Sequence, residues 1–179
     1  GISETTNSLF TIVKIVGWLG REHGKRTEKP SEPEEKCSVN ASQLAQLEEL
    51  ILTKIKSWAS DGRLQAHPSF ASILHFWKEW ESIEVVSAFV AELISTDEGL
   101  ITFLTAFLSK GTIQTSGDYF AKERWSISLD AIKRFATIEE CAERARLIAK
   151  SSTFINLSEN QKRTIQIFID TFDGKIETI

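Results

Sequence analysis

The stretch Ser69-Phe70-Ala71-Ser72-Ile73-Leu74-His75-Phe76-Trp77-Lys78-Glu79-Trp80 carries the pattern that decides the fold class. Phe70, Ile73, Leu74 and Trp77 stand at i, i+3, i+4 and i+7, which lines them along one face of an α-helix. Pro68 precedes the run and is expected as the first helical residue, where its missing N–H would be an orphan donor anyway. Trp77 and Trp80 add a large apolar area along one helix edge. The stretch reads as a central core helix and carries no chemistry of its own.

Helical signals continue on both sides. Upstream, Asn40 with Gln43 has the spacing of a capping box, and Leu44, Leu47, Ile51, Ile55 and Trp58 form a helical stripe that Asp61-Gly62 stops. Downstream, Val86, Phe89, Val90, Leu93 and Ile94 define a helix from about Ile83 to Ile94. Ser95 with Glu98 offers a capping box into the next, whose inward side is Leu100, Phe103, Leu104, Phe107 and Leu108. Lys110 suits its last turn, and Gly111 is expected to end it.

The segment from Thr112 to Ser128 breaks the period and reads as an irregular connection with a turn at Ser116-Gly117. Helices then resume. Ser128 is expected to cap a short one through Ile132 and Phe135, Thr137 to Glu140 has the form of a capping box, and Ser158 to Gln161 opens a last helix. That helix turns Ile165, Phe168, Ile169 and Phe172 inward and meets Gly174. The expectation is an all-α fold: an irregular multi-helix domain of about seven or eight short helices over residues 38–179, with short joints.

Residues 1–37 read differently. Leu9, Ile12, Val13 and Val16 give an amphipathic segment, its β-branched content leaving a strand open. Lys29-Pro30-Ser31-Glu32-Pro33-Glu34-Glu35-Lys36 then has charge, two prolines and nothing to bury, which makes a linker. No run approaches the roughly 20 apolar residues that span a bilayer. The chain begins with Gly1 and has no methionine, so it is expected to be a piece of a larger protein.

A formal net charge of −4 argues against a general nucleic-acid binder. Cys37 and Cys141 are too few and too far apart for a zinc framework, and unpaired cysteines suit a reducing, cytoplasmic setting. Gly20-Arg21-Glu22-His23-Gly24-Lys25-Arg26-Thr27 comes nearest to a phosphate-binding loop, but its spacer is three residues, Arg26 follows the lysine, and a proline-rich linker replaces the required helix. His75 and Glu79 share a helix spacing, yet a metal needs three or four convergent ligands. Cys141 belongs to an apolar stripe, where a thiol behaves as a small hydrophobe. Asp and Glu fall on helix N-termini and polar faces, where capping and solvation explain them. Lys133, Arg134, Arg144, Arg146, Lys150, Lys162 and Arg163 alternate with Glu139, Glu140, Glu143 and Glu159, as on a solvated face. Among Trp58, Trp77, Trp80 and Trp125, core packing is the first reading and an interface role the second.

The order of certain residues is more telling. Gly62-Arg63-Leu64-Gln65-Ala66-His67-Pro68 leads into Ile73-Leu74-His75-Phe76-Trp77-Lys78-Glu79-Trp80. Then follow Leu93-Ile94-Ser95-Thr96-Asp97-Glu98-Gly99-Leu100, Ser116-Gly117-Asp118-Tyr119 and Trp125-Ser126-Ile127. This succession resembles the helical C-terminal region of bacterial KAP-type P-loop NTPases, most closely from about Leu47 to Phe135. The resemblance implies an ATPase core lying N-terminal to this chain, in a family often carrying membrane segments in that core and linked in part to phage exclusion or signalling. Walker A and Walker B elements have no matching positions here. The resulting expectation is a non-catalytic accessory domain without cofactor or metal of its own. Its expected partner is the ATPase core of its own chain or another protein, with a membrane reached only through segments outside these residues. Trp80, Arg124 and Trp125 are the candidate interface residues. The alternatives are a nucleic-acid-binding module working through Lys133, Arg134, Arg144 and Arg146, and a small hydrolase with an unrecognised site.

Overall fold

A computed structural model describes residues 41–113 and 122–175. The amphipathic segment and linker expected over 1–37, the Asn40 cap and the Ser116-Gly117 turn lie outside the described residues. Within them the chain forms eight α-helices and one two-stranded hairpin, so the expected all-α character holds with a single β addition. Contacts divide it into two compact units, meeting in sequence at Glu81 and Ser82.

The described part of the first unit is a helix pair, α1 (Ala41–Ser60) and α2 (Phe70–Trp80). Ile51, Ile55 and Trp58 on α1 and Phe70, Ile73, Leu74 and Trp77 on α2 are buried, as their 3.6-residue spacing requires. Gly62 ends α1 at φ 77°, a left-handed conformation that a side chain would oppose. The carbonyls freed at that end find donors: Ser57 from Asp61 N–H at 3.2 Å, Trp58 from Leu64 N–H at 3.0 Å, and Ala59 from Gln65 Nε2 at 3.2 Å.

Pro68 is not the first helical residue. It occupies a turn closed by Phe70 N–H donating to the His67 carbonyl at 3.0 Å, and α2 begins after it. Both places ask the same φ of proline, so the local sequence does not separate them. Ser69 makes no side-chain cap; its own N–H donates to His67 Nδ1 at 3.0 Å.

The second unit begins with α3 (Ile83–Leu93), capped by Ser82 Oγ, which accepts from Val85 N–H at 3.4 Å. A tight corner leads to α4 (Asp97–Phe107), whose cap is Thr96, accepting from Gly99 N–H at 3.1 Å. The expected Ser95–Glu98 box is therefore displaced by one residue; Ser95 Oγ instead donates back to the Glu92 carbonyl at 2.6 Å. A serine beside a threonine gives two caps of equal chemistry, and the close approach of α3 to α4 selects the second.

Helix α4 stops at Phe107, before Lys110 and Gly111, and the chain continues into β1 (Leu108–Ile113), paired antiparallel with β2 (Lys122–Ile127). The register runs from Leu108 opposite Ile127 to Ile113 opposite Lys122. The irregular connection expected over Thr112 to Ser128 is thus partly a hairpin. Its β-branched Thr112, Ile113 and Ile127 favour the pleated backbone, but a lone two-strand ladder is marginal without a helix to pack on. Helix α8 (Glu159–Phe172) supplies that surface against β2.

Between them run α5 (Leu129–Ile132), α6 (Ile138–Ala149) and α7 (Ser152–Asn156), a one-turn helix outside the expected set. Ser128 caps α5 through Ala131 N–H at 3.3 Å. Thr137 precedes α6 without a side-chain cap, so the capping box expected there is not made. The box at Ser158 and Gln161 is complete, with Gln161 N–H donating to Ser158 Oγ at 3.3 Å and Ser158 N–H to Gln161 Oε1 at 2.9 Å.

Helix α8 is the hub of this unit and packs on α4, α6 and β2. Its Ile165 and Phe168 are fully buried, as are Leu100, Phe103 and Leu104 of α4. Cys141, Ala142 and Ala145 present small side chains on α6, which lets the helices approach closely. The Phe103 and Phe107 rings meet edge to face at 4.9 Å, and Phe107 lies 6.0 Å from Phe135. Buried Thr171 donates to the Ile167 carbonyl at 2.7 Å, so its hydroxyl is not left orphaned.

Candidate interaction surface

Of the three candidate interface residues, Trp80 belongs to the first unit, and Arg124 and Trp125 belong to the second. Trp80 ends α2 half-buried, its ring 6.4 Å from Phe76. Arg124 and Trp125 are consecutive on β2, opposite Gly111 and Lys110 of β1. Trp58 and Trp77 are core residues, as their stripes predict. The Trp58 ring stacks against His67 at 6.1 Å, with the Arg63 guanidinium 5.7 Å from its centroid.

The polar side chains of the second unit hold its helices together. Arg144 of α6 donates to the Ser95 carbonyl at 2.9 Å and lies 3.7 Å from Asp97, which pins α6 to the α3–α4 corner. Arg146 pairs with Asp173 beyond the end of α8 and sits 5.2 Å from the Phe172 ring centroid. Lys133 pairs with Asp130 at 3.2 Å. Three of the four cations assigned to nucleic-acid binding therefore have an acidic partner within about 4 Å in the structure.

Charges shift where these pairs form. The Arg146 guanidinium, hydrogen-bonded to Asp173, holds that carboxyl below its ordinary range, and Arg63 does the same to Asp61. Both shifts favour the carboxylate, the reverse of what a general acid needs. Burial pushes the Cys141 thiol up to about 11, with Glu140 adding to the rise. That environment keeps the thiol protonated and unreactive, opposite to an activated nucleophile. Among the described residues no group of His, Cys, Asp and Glu is arranged to hold a metal, and no helix is long and apolar enough to cross a membrane.

One open feature among the described residues is a shallow groove of about 420 Å³ between α7 and α8, lined by Phe154, Glu159, Lys162, Arg163 and Gln166. Lys162 is bonded to Glu159 at 2.9 Å, and Gln166 Nε2 donates to Asp170 at 3.0 Å. Arg163 is exposed and has no acidic partner among the described residues. Beside the groove-lining Phe154, Ile155 is 74% exposed, and Leu147 on α6 is 63% exposed.

The sequence places Glu159, Lys162 and Arg163 on a solvated face, but it does not single out Phe154, Ile155 or Leu147. Leu147 lies off the stripe of Ile138, Cys141, Ala145 and Ile148, and that offset was the signal available. Phe154-Ile155 follows Ser151-Ser152-Thr153, a polar run without period, so nothing local marks it.

Fold and surface together define a helical chain with one hairpin, in which Arg144 and Arg146 are engaged within the second unit. The exposed large apolar side chains among the described residues are Leu50 on α1, Ile83 and Val85 on α3, Leu147 on α6 and Ile155 on α7. No family model, curated protein or solved structure matches this chain.

Proposed function

We propose that this chain is a non-catalytic, helical accessory domain of a KAP-like P-loop NTPase, acting as a protein-interaction or regulatory module. The observation that carries the reading is the exposure of Leu147 and Ile155 on adjoining helices, while Arg144 and Arg146 of α6 are engaged within the unit. Large apolar side chains left in water lose free energy that a partner recovers on binding, at about 25 cal/mol per Å² covered. In the full protein the ATPase core is the first partner to test, with nucleotide state changing how the domain is presented.

Titration of this chain against the separately produced ATPase core, with and without nucleotide, tests the reading. Saturable binding below roughly 100 μM, near the weak end of specific association, is expected. Absence of binding to the core at that concentration in every nucleotide state would refute it.

A further inference from the structure

We propose that the groove between α7 and α8 docks an acidic, amphipathic segment of a partner protein. The proposal rests on the interaction-module reading and names the partner chemistry that this surface fits. Three properties converge there. Phe154 gives the groove an aromatic wall, and the next residue along α7, Ile155, is exposed. Lys162 and Arg163 face one acidic side chain, Glu159, so the lining carries a positive excess within a chain of net charge −4. Arg163 has no counter-ion among the described residues, whereas Arg144 and Arg146 are already paired.

That distinction selects the partner. An uncommitted guanidinium presents a planar fork that matches a carboxylate, and it does not have to break an existing pair first. An apolar segment alone would leave Arg163 unused, and a basic one would meet it with like charge. The groove is also shallow, which suits a chain segment laid across the surface. An amphipathic helix with Asp or Glu beside its apolar face satisfies both demands in one element. Screening at high salt acts on the charge half of the contact and spares the apolar half.

The probe is a synthetic Leu/Glu amphipathic helical peptide, fluorescently labelled, titrated with the full 179-residue chain at low and high salt. A matched peptide with Lys in place of Glu and a duplex DNA oligonucleotide are run alongside. Saturable binding of the Glu peptide alone is expected, weakening as salt rises. Arg163→Glu and Ile155→Ser should each weaken it at least about tenfold, a change of roughly 1.4 kcal/mol. Both positions are exposed, and an unchanged thermal midpoint verifies that the variants fold. Equal binding by the variants, equal binding of the Lys peptide or the DNA, or no binding up to about 1 mM on the usual affinity scale would overturn the proposal. Binding of the ATPase core that survives Arg163→Glu would overturn the groove and leave the module reading standing.

Discussion

Gly99 sits against the carbonyl of Leu93 so closely that a methyl group built on its Cα would lie 1.8 Å from that oxygen. The corner between α3 and α4 is closed by this contact, by Thr96 Oγ accepting from Gly99 N–H, and by Arg144 reaching the Ser95 carbonyl from α6. A helix-forming sequence places its glycine here because the neighbouring chain is backbone and cannot rotate aside.

Gly99→Ala therefore sets two effects against each other. Alanine gains about 1 kcal/mol of helix propensity over glycine. The clash requires α3 and α4 to separate, which belongs at the upper end of the 1–3 kcal/mol range for overpacking. A net loss of about 2 kcal/mol is expected, read as a lower urea midpoint with unchanged slope. A midpoint equal to or above that of the parent chain would show that the corner yields.

The complete capping box gives a second test. Ser158→Ala should cost about 1 kcal/mol, because it removes the acceptor for the Gln161 N–H. Gln161→Ala removes the reciprocal acceptor for the Ser158 N–H, and the pair should couple by about 0.5 kcal/mol or more in a double-mutant cycle. Thr137→Ala, at a helix start with no side-chain cap, should cost clearly less than Ser158→Ala.

Asp173 links stability to acid. Its partner Arg146 is 27 residues away in sequence, so the pair is lost on unfolding. The folded pKa lies below the unfolded value, about 3.9 for Asp. The contribution is thus fully present above that value and disappears as pH falls through the lower, folded value. Asp173→Asn should flatten this acid limb while changing little at neutral pH, since exposed pairs contribute modestly. Asp61, whose partner Arg63 is two residues away, should affect the limb less, because that contact is local enough to persist in the unfolded chain. Equal acid limbs in the parent and Asp173→Asn chains would count against this account.

Cys141 should report unfolding. In a Cys37→Ser background, a thiol held up to about 11 and wholly buried is expected to resist alkylation at pH 8. Adding urea through the transition should release it in step with the loss of helical circular dichroism. Rapid labelling of the native chain would contradict the buried placement.

Much of the helical content was legible because it rests on periodicity. Phe70, Ile73, Leu74 and Trp77 declare one face within eight residues, and the structure buries all four. The stripe Ile165, Phe168 and Ile169 does the same for α8, with Ser158 marking its start. The hairpin was less legible. Lys110 and Gly111 satisfy the rule for a helix end as well as they satisfy β1, and pairing with residues 122–127 depends on chain that is distant in sequence. The candidate surface was the least legible. Arg144, Arg146 and Arg163 look alike in sequence, since all three stand among acidic residues on helices.

By itself the sequence determined that the chain is predominantly helical, which faces of the longer helices turn inward, and where most of them start and stop. These properties follow from side-chain spacing and from capping groups within about four residues of one another. Tertiary structure alone decided that Arg144 and Arg146 are spent on Ser95, Asp97 and Asp173, and that Arg163, Leu147 and Ile155 remain available. The physical reason is that an ion pair or a covered methyl depends on which residues meet through space, and a periodic pattern fixes only the face from which each one starts.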